Sequence, residues 1–323
     1  MTARTRRFVI LGGAAALAAG AAIYRRTATS SSNPPSAEES EPVEWETLSQ
    51  SPQITVPTPD GARLAVWDIG DPEASTVVLP HCWGCTHAIW IPVARRLVEA
   101  GYRVVLYDQR GHGATTRGTV PLDLVTLAND LAFVLKTRNV SEAVLAGHSM
   151  GGMTIMALAT YRPEVLARQA RAIILVATAA ANMSVGTAQA DRLAARVMGS
   201  EFLSRSMRSS RGHHFVRGTF GHEALPSHVD LTRTLFADCD PSVRAGFMRS
   251  MSSMNLLEGI ASIAMPTTVI IGSRDRLTPP ARSQQMVSAI PGAHLVTLER
   301  RGHMLPLEDP DAVTDEIIRS AKG

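Results

Sequence analysis

This chain has no surplus of basic charge once its first 26 residues are set aside, although its formal net charge is +3 and its pI is about 9.0. Residues 1–26 hold five of the 32 basic side chains and no acidic one, so the remainder has 27 basic against 29 acidic side chains. The sequence therefore lacks the basic face on which nucleic-acid binding depends. Lysine is also nearly absent, since Lys136 and Lys322 are the only two, and we interpret this as a compositional bias.

The sequence also lacks an internal repeat and an apolar run long enough for an ordinary membrane-spanning helix. The longest candidate, Phe8–Ile23, has 16 residues, mostly Ala and Gly, whereas a spanning helix needs about 20. Arginines precede it, and residues 5–10 (TRRFVI) resemble a twin-arginine export signal. Residues 19–21 (AGA) offer a cleavage site, but Arg25 and Arg26 follow closely and argue against cleavage. The pattern predicts either an export signal or an uncleaved membrane anchor.

We therefore expect an exported protein, or one anchored with its body outside, whose membrane association runs through residues 1–26. Residues 27–46 are rich in Ser, Pro and Glu with little apolar content, which predicts a disordered linker. Residues 47–323 then form the folded part. Because 45% of the chain is hydrophobic, there is enough apolar material for one large α/β domain with an insertion.

Strand-like runs alternate with helix-like stretches through the folded part. Residues 53–56 and 62–67 predict an antiparallel hairpin at a sheet edge, joined by a turn at residues 59–61. Six further strand-like runs are separated by helical patterns, so we predict a mostly parallel eight-stranded sheet with helices on both faces. These runs are residues 76–80, 102–107, 143–146, 172–176, 267–271 and 294–298.

An insertion interrupts this alternation late in the chain. Far more residues separate the strand ending at Val176 from the strand beginning at Thr267 than a simple crossover needs. We predict that the excess, at about residues 182–258, forms a helical cap over the crevice. Asp240-Pro241 is typical of a helix start, because the N-cap residue is followed by proline at the first position.

The most informative stretch is Gly147-His148-Ser149-Met150-Gly151, which directly follows the apolar run at residues 143–146. A strand, then G-x-S-x-G, then a helix predicts a nucleophile elbow, in which the serine stands on a tight, strained turn. The motif alone occurs by chance in many proteins. Here Gly152 and the apolar residues 154–159 supply the expected helix, so the structural context is present.

Candidate partners for the serine follow in the chain. A serine hydroxyl needs a base to take its proton and an acid to orient that base. Asp275 follows the strand at residues 267–271, and His303 follows the strand at residues 294–298. Taken singly, Asp275 could be a helix cap and His303 a solvated loop residue. The order Ser149, Asp275, His303 is that of a triad built around such an elbow, and it favours a catalytic role.

The loop after the strand at residues 76–80 is the expected second half of the site. We predict that the backbone N–H groups of Trp83 and Met150 hold an oxyanion, with a wall residue as the alternative role for Trp83. Cys82 and Cys85 have a Cys-x-x-Cys spacing. Two unpaired buried thiols and a disulfide that distorts the loop both fit this spacing.

A substrate pocket is expected between this loop and the cap. His81 from the loop, with Met248 and Met251 from a methionine-rich cap face, would line an adaptable apolar pocket. Methionines that merely pack the cap onto the body fit the same pattern. The cap histidines lack metal-ligand spacing, so we expect no metal site; they are His213, His214, His222 and His228.

Together these residues resemble the α/β-hydrolase superfamily, and the resemblance runs from about Gln53 to the C-terminus. Residues 107–113 (YDQRGHG) are similar to the family's D-x-R-G-x-G turn, which implies structural roles for Asp108, Arg110 and His112. The family's usual fold is the predicted one, a mostly parallel eight-stranded sheet with an inserted helical cap. The same resemblance places its base and acid at the loops that carry the predicted triad.

Two details refine the resemblance. The family usually has His-Gly at the oxyanion loop, whereas this chain has His81-Cys82, so the loop backbone is either ordinary or displaced. Dehalogenases and epoxide hydrolases of the superfamily have Asp at the position of Ser149, so a serine there implies acyl transfer. The loop and residues 101–107 are also similar to cofactor-free perhydrolases, which use the same triad with peroxide.

The resemblance thus implies a serine hydrolase that cleaves small apolar carboxylic esters through an acyl-enzyme, with neither cofactor nor metal. Thioesterase, lactonase, perhydrolase and carbon–carbon hydrolase activities are alternatives, because they share the triad and the cap decides the substrate. A non-catalytic, ligand-binding member of the fold is a further alternative, against which an intact triad argues. The sequence leaves the acyl chain length and the oligomeric state open.

Overall fold

A computed structural model describes residues 53–181 and 183–322 of the chain, and an eight-stranded sheet forms its centre. The strands are β1 (Ile54–Pro57), β2 (Arg63–Ile69), β3 (Thr76–Pro80), β4 (Arg103–Tyr107), β5 (Ala143–His148), β6 (Ala170–Val176), β7 (Thr267–Gly272) and β8 (His294–Leu298). Their order across the sheet is β1-β2-β4-β3-β5-β6-β7-β8. The β1–β2 and β2–β4 pairs are antiparallel and the other neighbours are parallel, which confirms the predicted sheet.

Helices cover both faces of this sheet. They are α1 (Ile91–Glu99), α2 (Leu124–Thr137), α3 (Met150–Tyr161), α4 (Pro163–Gln169), α5 (Ala188–Met198), α6 (Glu201–Met207), α7 (Ser210–Arg217), α8 (Pro226–Asp238), α9 (Pro241–Ser253), α10 (Leu257–Ile260), α11 (Pro280–Ala289), α12 (Leu305–Glu308) and α13 (Pro310–Lys322). A 3₁₀ turn, His87–Trp90, precedes α1.

The central strands are buried on both faces because two apolar clusters enclose the sheet. Along β3, Val77 and Leu79 pack into one cluster and Val78 into the other, since successive side chains of a strand point to opposite faces. Helices α1 and α13 share the cluster of Val77, whereas α2 and α3 share that of Val78. Nearly continuous apolar strands are what a sheet covered on both faces requires.

The chain reverses its direction across the sheet between β3 and β5. After β3 it enters α1 on one face, and after β5 it enters α3 on the opposite face. The carboxyl ends of these neighbouring strands are therefore a topological switch point, at which a ligand crevice is expected. Such a switch point is where open α/β sheets bind ligands.

Helices α5 to α10 form the cap, which lies in the chain between β6 and β7. Asp240 caps α9, because its carboxylate accepts the backbone N–H groups of Ser242 and Val243. One residue of α9, Arg244, is fully buried and has no acidic partner among the described residues. Its guanidinium donates to the backbone carbonyls of Met198, Phe236, Cys239 and Ser200 and to the Ser204 hydroxyl.

The predicted export or anchor segment, residues 1–26, and the predicted linker, residues 27–46, lie outside the described residues. Within residues 53–181 and 183–322, none of the helices combines the length and the apolar character needed to cross a bilayer.

Candidate active site

Ser149 lies at the junction of β5 and α3 with an unusual backbone conformation. Its φ of 53° and ψ of −115° fall where residues with a side chain are rarely found. The Ser149 N–H donates to the carbonyl of Val176 at 2.9 Å, and the Thr178 hydroxyl donates to the Ser149 carbonyl at 2.7 Å. Bonds from the end of β6 thus stabilise the strained turn, as an elbow requires.

The glycines of the motif are explained by close backbone approaches. A Cβ atom at Gly147 would lie only 2.5 Å from backbone atoms of Gly151 and Gly152. A Cβ atom at Gly151 would overlap the carbonyl of Pro80, where β3 ends. The elbow and the loop after β3 therefore pack against each other without intervening side chains, which places the two halves of the crevice in contact.

Asp275 and His303 form a buried pair on the loops after β7 and β8. The Nδ1–H of His303 donates to Oδ2 of Asp275 at 2.8 Å, and the exposed fractions of the two side chains are 5% for His303 and 0% for Asp275. The carboxylate also accepts the N–H groups of Leu277 and Thr278 and the Thr278 hydroxyl, at 2.7–2.9 Å. Because Nδ1 is engaged by Asp275, Nε2 is the ring nitrogen that remains for another partner.

His148 joins this pair to the elbow. Its Nε2–H donates to the backbone carbonyl of His303 at 2.8 Å, and the two imidazole centroids are 5.0 Å apart. Burial, reinforced by the neighbouring His303, lowers the pKa of His148 to about 3, so the ring is neutral. Ser149 is therefore next in the chain to a residue that contacts His303. The hydrogen bonds of the described residues do not include one from the Ser149 hydroxyl to His303, a bond that often forms fully only with substrate.

Glu308 organises the loop that carries His303. Its Oε2 accepts the N–H groups of Gly221 at 2.6 Å and Gly302 at 2.9 Å, and its Oε1 accepts that of Met304 at 2.9 Å. Both chain neighbours of His303 are thus bound to one carboxylate. Burial raises the pKa of Glu308, although the three N–H groups act in the opposite direction.

The cap contacts the same loop through its backbone. The His303 N–H donates to the carbonyl of Thr219 at 2.8 Å, and the His222 N–H donates to the carbonyl of Arg300 at 3.0 Å. Glu223 adds ion pairs to Arg300 and Arg301, both at 2.8 Å. The position of His303 therefore depends on where the cap is seated.

The loop after β4 holds the loop after β3 in place. Gln109 donates its side-chain amide to the carbonyl of His81 and its backbone N–H to Nε2 of His81 at 2.8 Å, while Nδ1–H of His81 donates to the Cys82 carbonyl at 2.7 Å. Nε2 of His112 accepts the Gly84 N–H at 3.1 Å. Both rings act as acceptors, so both must be neutral. Burial lowers their pKa values, to about 3 for His81 and about 4 for His112.

Trp83 and Met150, the predicted oxyanion donors, lie on the two sides of the contact between the loop after β3 and the elbow. Within the described residues, neither backbone N–H makes a hydrogen bond to another protein group. The Trp83 ring packs edge-on against Phe236 of the cap, with centroids 5.3 Å apart. Gly84 has a φ of +72°, and a Cβ there would overlap the Phe236 ring, so the cap closes tightly over this loop.

The three residues expected to line the pocket have different surroundings. His81 is fully buried, and both its ring nitrogens bond to protein groups, so its contacts support the loop. Met251 is buried in the same apolar cluster as Met150, and Met248 is half-buried on α9. That these side chains contact substrate stays a prediction.

The cysteines of the chain are all free thiols in buried positions. The neighbouring Cys82 thiol, together with burial, raises the pKa of Cys85 well above its usual value. A thiol that resists ionisation reacts slowly with oxidants. The structure therefore describes the unpaired alternative for the Cys-x-x-Cys spacing.

The YDQRGHG turn has the structural contacts that the resemblance implied. Burial alone would raise the pKa of Asp108, but hydrogen bonds from the backbone and Nδ1 of His87 outweigh it and hold that pKa below its usual range. Arg110 is buried between the carboxylates of Asp60 and Asp130. The turn thus links the β1–β2 hairpin to α2 beneath the crevice.

Sequence reasoning missed the residues that position the Asp275–His303 pair and the loop after β3. His148 occupies the variable position of the elbow motif, and Gln109 the variable position of the YDQRGHG turn. Glu308 is the last residue of α12, five residues after His303, and no spacing rule connects the two. His148 could have been found by one signal, since it is a polar residue between a buried apolar strand and a buried apolar helix.

Comparisons with known proteins agree with this fold. A model of the alpha/beta hydrolase family matches residues 77–316. Among curated proteins, 3-oxoadipate enol-lactonase 1 of Acinetobacter baylyi is 27% identical, covering 72% of this chain and 83% of its own length. The pimeloyl-[acyl-carrier protein] methyl ester esterase of Xanthomonas campestris pv. campestris is also 27% identical, covering 75% of this chain and 93% of its own length.

A solved structure has the same architecture. The esterase EaEST from Exiguobacterium antarcticum superposes with a TM-score of 0.72 at 22% identity, covering 83% of this chain and 99% of that chain. At this level of identity the likeness concerns the fold.

Proposed function

This chain belongs to the alpha/beta hydrolase family and is an enzyme, and from that premise we propose that it cleaves carboxylic esters through an acyl-enzyme formed on Ser149. The observation that carries the proposal is the buried hydrogen bond between Asp275 and His303, joined through His148 to the elbow of Ser149. An imidazole oriented by a carboxylate and linked to the turn of a strained serine is the arrangement that nucleophilic acyl transfer needs.

In the acylation step, Nε2 of His303 takes the proton of the Ser149 hydroxyl as Oγ attacks the ester carbonyl carbon. Asp275 stabilises the imidazolium that forms and keeps the ring oriented. The imidazolium then gives its proton to the departing alkoxide, and the acyl group stays on Oγ. Water then attacks the acyl carbonyl carbon while Nε2 of His303 takes a proton from it. The imidazolium returns that proton to Oγ of Ser149 as the carboxylic acid leaves, so His303 ends each half-reaction with the proton count with which it began.

We assign the stabilisation of the negative charge that develops on the carbonyl oxygen to the backbone N–H groups of Trp83 and Met150. Neither has a protein partner in the described part of the chain, and close packing of Gly151 on Pro80 brings their segments together. Preorganised donors of this kind each contribute about a hundred- to a thousandfold in turnover. The bonds from Gln109 and His112 keep the Trp83 loop rigid enough to act in this way.

The experiment is hydrolysis of p-nitrophenyl esters of graded chain length by the purified protein and by Ser149→Ala. The native protein is expected to turn over at least one of them, and the variant to lose about four or more orders of magnitude in kcat. Ser149→Ala retains the same backbone strain, so its melting temperature serves as the folding control. Equal turnover by the two proteins would remove the proposal.

Lactones are a second substrate class to test. A lactone is a cyclic ester, and one of the relatives is named as an enol-lactonase. A pH-stat assay with a simple lactone separates this case, because acid release then depends on Ser149 without release of an alcohol.

The N-terminal segment is proposed to carry the enzyme across or onto a membrane, by the twin-arginine-like pattern of residues 5–10 and the apolar run that follows. Replacing Arg6 and Arg7 together by lysine should then abolish export of the full chain in a bacterial host. Unchanged export would contradict this location.

A further inference from the structure

The cap carries an unusual concentration of exposed apolar side chains. Phe202 is 80% exposed and Leu193 is 61% exposed, and Val197 and Phe215 are exposed by more than 40% each. Leu193 and Val197 are four residues apart on α5, so they share one face of that helix. A single exposed apolar residue needs no explanation, but four within 23 residues of sequence are a concentration of exposed apolar side chains on the helices α5 to α7.

Arginines accompany each of these apolar residues at helical spacing. Arg192 and Arg196 form a stripe along one side of the apolar stripe of α5. Arg205 lies three residues after Phe202 on α6, and Arg211 lies four residues before Phe215 on α7. We call these eight residues the cap patch: Leu193, Val197, Phe202, Phe215, Arg192, Arg196, Arg205 and Arg211.

The arginines of the cap patch are available to a partner. Among the described residues none of the four forms an ion pair, whereas Arg208 nearby is paired with Asp238. Residues 188–217 hold six arginines against two acidic side chains, Asp191 and Glu201. The surface is therefore both apolar and cationic, and its charge complements an anionic partner.

We propose that the cap patch docks on an anionic phospholipid surface, with Phe202 and Leu193 inserted among the acyl chains and the arginines at the phosphate groups. Apolar side chains rimmed by arginine are the pattern of helices that lie in a membrane interface. The side chains of the patch are exposed, and none of them lines the cavities of about 490 and 470 Å³ around Leu257 and Arg117. A fluid bilayer needs no shaped groove, unlike a folded partner.

Docking of the patch would act close to the candidate active site. Helix α7 is followed directly by Thr219 and His222, whose backbone groups bond to His303 and Arg300. The inference does not depend on the proposed catalysis, and its test reads lipid contact alone.

The test places a tryptophan in the patch of the full-length chain. Phe202→Trp is compared with Tyr161→Trp, a position on the body that is 43% exposed and already aromatic. Both are mixed with vesicles of phosphatidylglycerol and phosphatidylcholine, with and without brominated acyl chains, and the emission of the unsubstituted protein is subtracted. The signal of the tryptophan at position 202 is expected to shift to the blue and to be quenched by the bromines, and that of the tryptophan at position 161 to do neither.

Charge is tested in the Phe202→Trp background. Replacing Arg192 and Arg196 by glutamate should weaken partitioning by at least about twenty-fivefold, since each arginine near such a surface contributes about fivefold. Replacing Arg162 and Arg168 by glutamate changes the net charge equally but on the body, and it should change partitioning little. Because the readout belongs to position 202, tethering through the N-terminal segment does not imitate it.

Three results would overturn the inference. They are a signal from position 202 that neither shifts nor is quenched, equal quenching at position 161, and a blue-shifted signal from position 202 in a dimer without vesicles. The last would mean that a second copy of the chain covers the patch.

Discussion

Single residues in this protein divide into those that react and those that hold the reacting groups. Ser149, His303 and Asp275 are the proposed reacting set, and His148 and Glu308 bind backbone groups of His303 and of its two chain neighbours. An imidazole misplaced by about 1 Å can cost a hundredfold in rate, so the holding residues are expected to matter for turnover. Both act on backbone groups and leave the ring free.

Glu308→Gln tests this at the level of one atom. The amide keeps the size of the side chain but presents N–H where the carboxylate accepted N–H, so it repels at least one of its three donors. We expect kcat to fall by about ten- to a hundredfold with KM little changed, and the acid limb of the pH profile of kcat/KM to shift. Steady-state kinetics from about pH 5 to about pH 9 measure both.

The control for that experiment is Glu299→Gln, an exposed carboxylate near the same loop. It should keep native kinetics. If Glu308→Gln lowers only the melting temperature and leaves kcat and its pH profile native, Glu308 is a structural residue and does not position the base.

At the scale of elements, the cap is held together by one buried cation. Arg244 binds carbonyls from the ends of α5 and α8 and the Ser204 hydroxyl of α6, so three helices meet on α9. Burial lowers the pKa of Arg244, and the nearby acidic groups offset this effect only in part. Removing the guanidinium leaves several carbonyls without donors, and each such group costs about 1–3 kcal/mol.

Arg244→Met should therefore destabilise the protein by about 3–5 kcal/mol, because several buried carbonyls lose their donor together. Arg249→Met, on the exposed face of the same helix, is the matched control and should cost under about 0.5 kcal/mol. Urea denaturation of both variants measures the difference. Equal stability of the two would mean that apolar packing alone assembles the cap.

The elements themselves were largely predictable from the sequence, and the reasons are local. Eight strand-like runs, the elbow motif and the Asp240-Pro241 helix start depend on neighbouring residues, and each has its counterpart in the structure. The Asp275–His303 contact followed from a topological rule about strand ends. The bond from Arg244 to Met198 and the His148–His303 contact were not predictable, because they join residues 46 and 155 positions apart and follow no spacing pattern.

At the scale of the whole molecule, three buried neutral histidines link stability to pH. His81, His112 and His148 have pKa values of about 3, 4 and 3, all lowered mainly by burial from an ordinary value of 6.5. Below about pH 6.5 the unfolded chain binds protons that the folded chain cannot. Their stabilising contribution is therefore complete above about pH 6.5 and is lost progressively as the pH falls towards about 3–4.

We expect the melting temperature to fall steadily between about pH 7 and about pH 4.5, since each such histidine contributes a slope of up to about 1.4 kcal/mol per pH unit. Calorimetry across this range measures it. His112→Asn keeps an acceptor for the Gly84 N–H but cannot titrate, so it should flatten the slope, whereas His214→Asn, on the exposed face of α7, should not. A melting temperature independent of pH would contradict the neutral-histidine assignment.

The most direct measurement of the central claim is mass spectrometry of the protein after reaction with a fluorophosphonate. The account predicts one adduct per chain, located by peptide mapping on Ser149 and formed far more slowly in His303→Ala. An adduct on another residue, or no adduct on a preparation that hydrolyses esters, would contradict it.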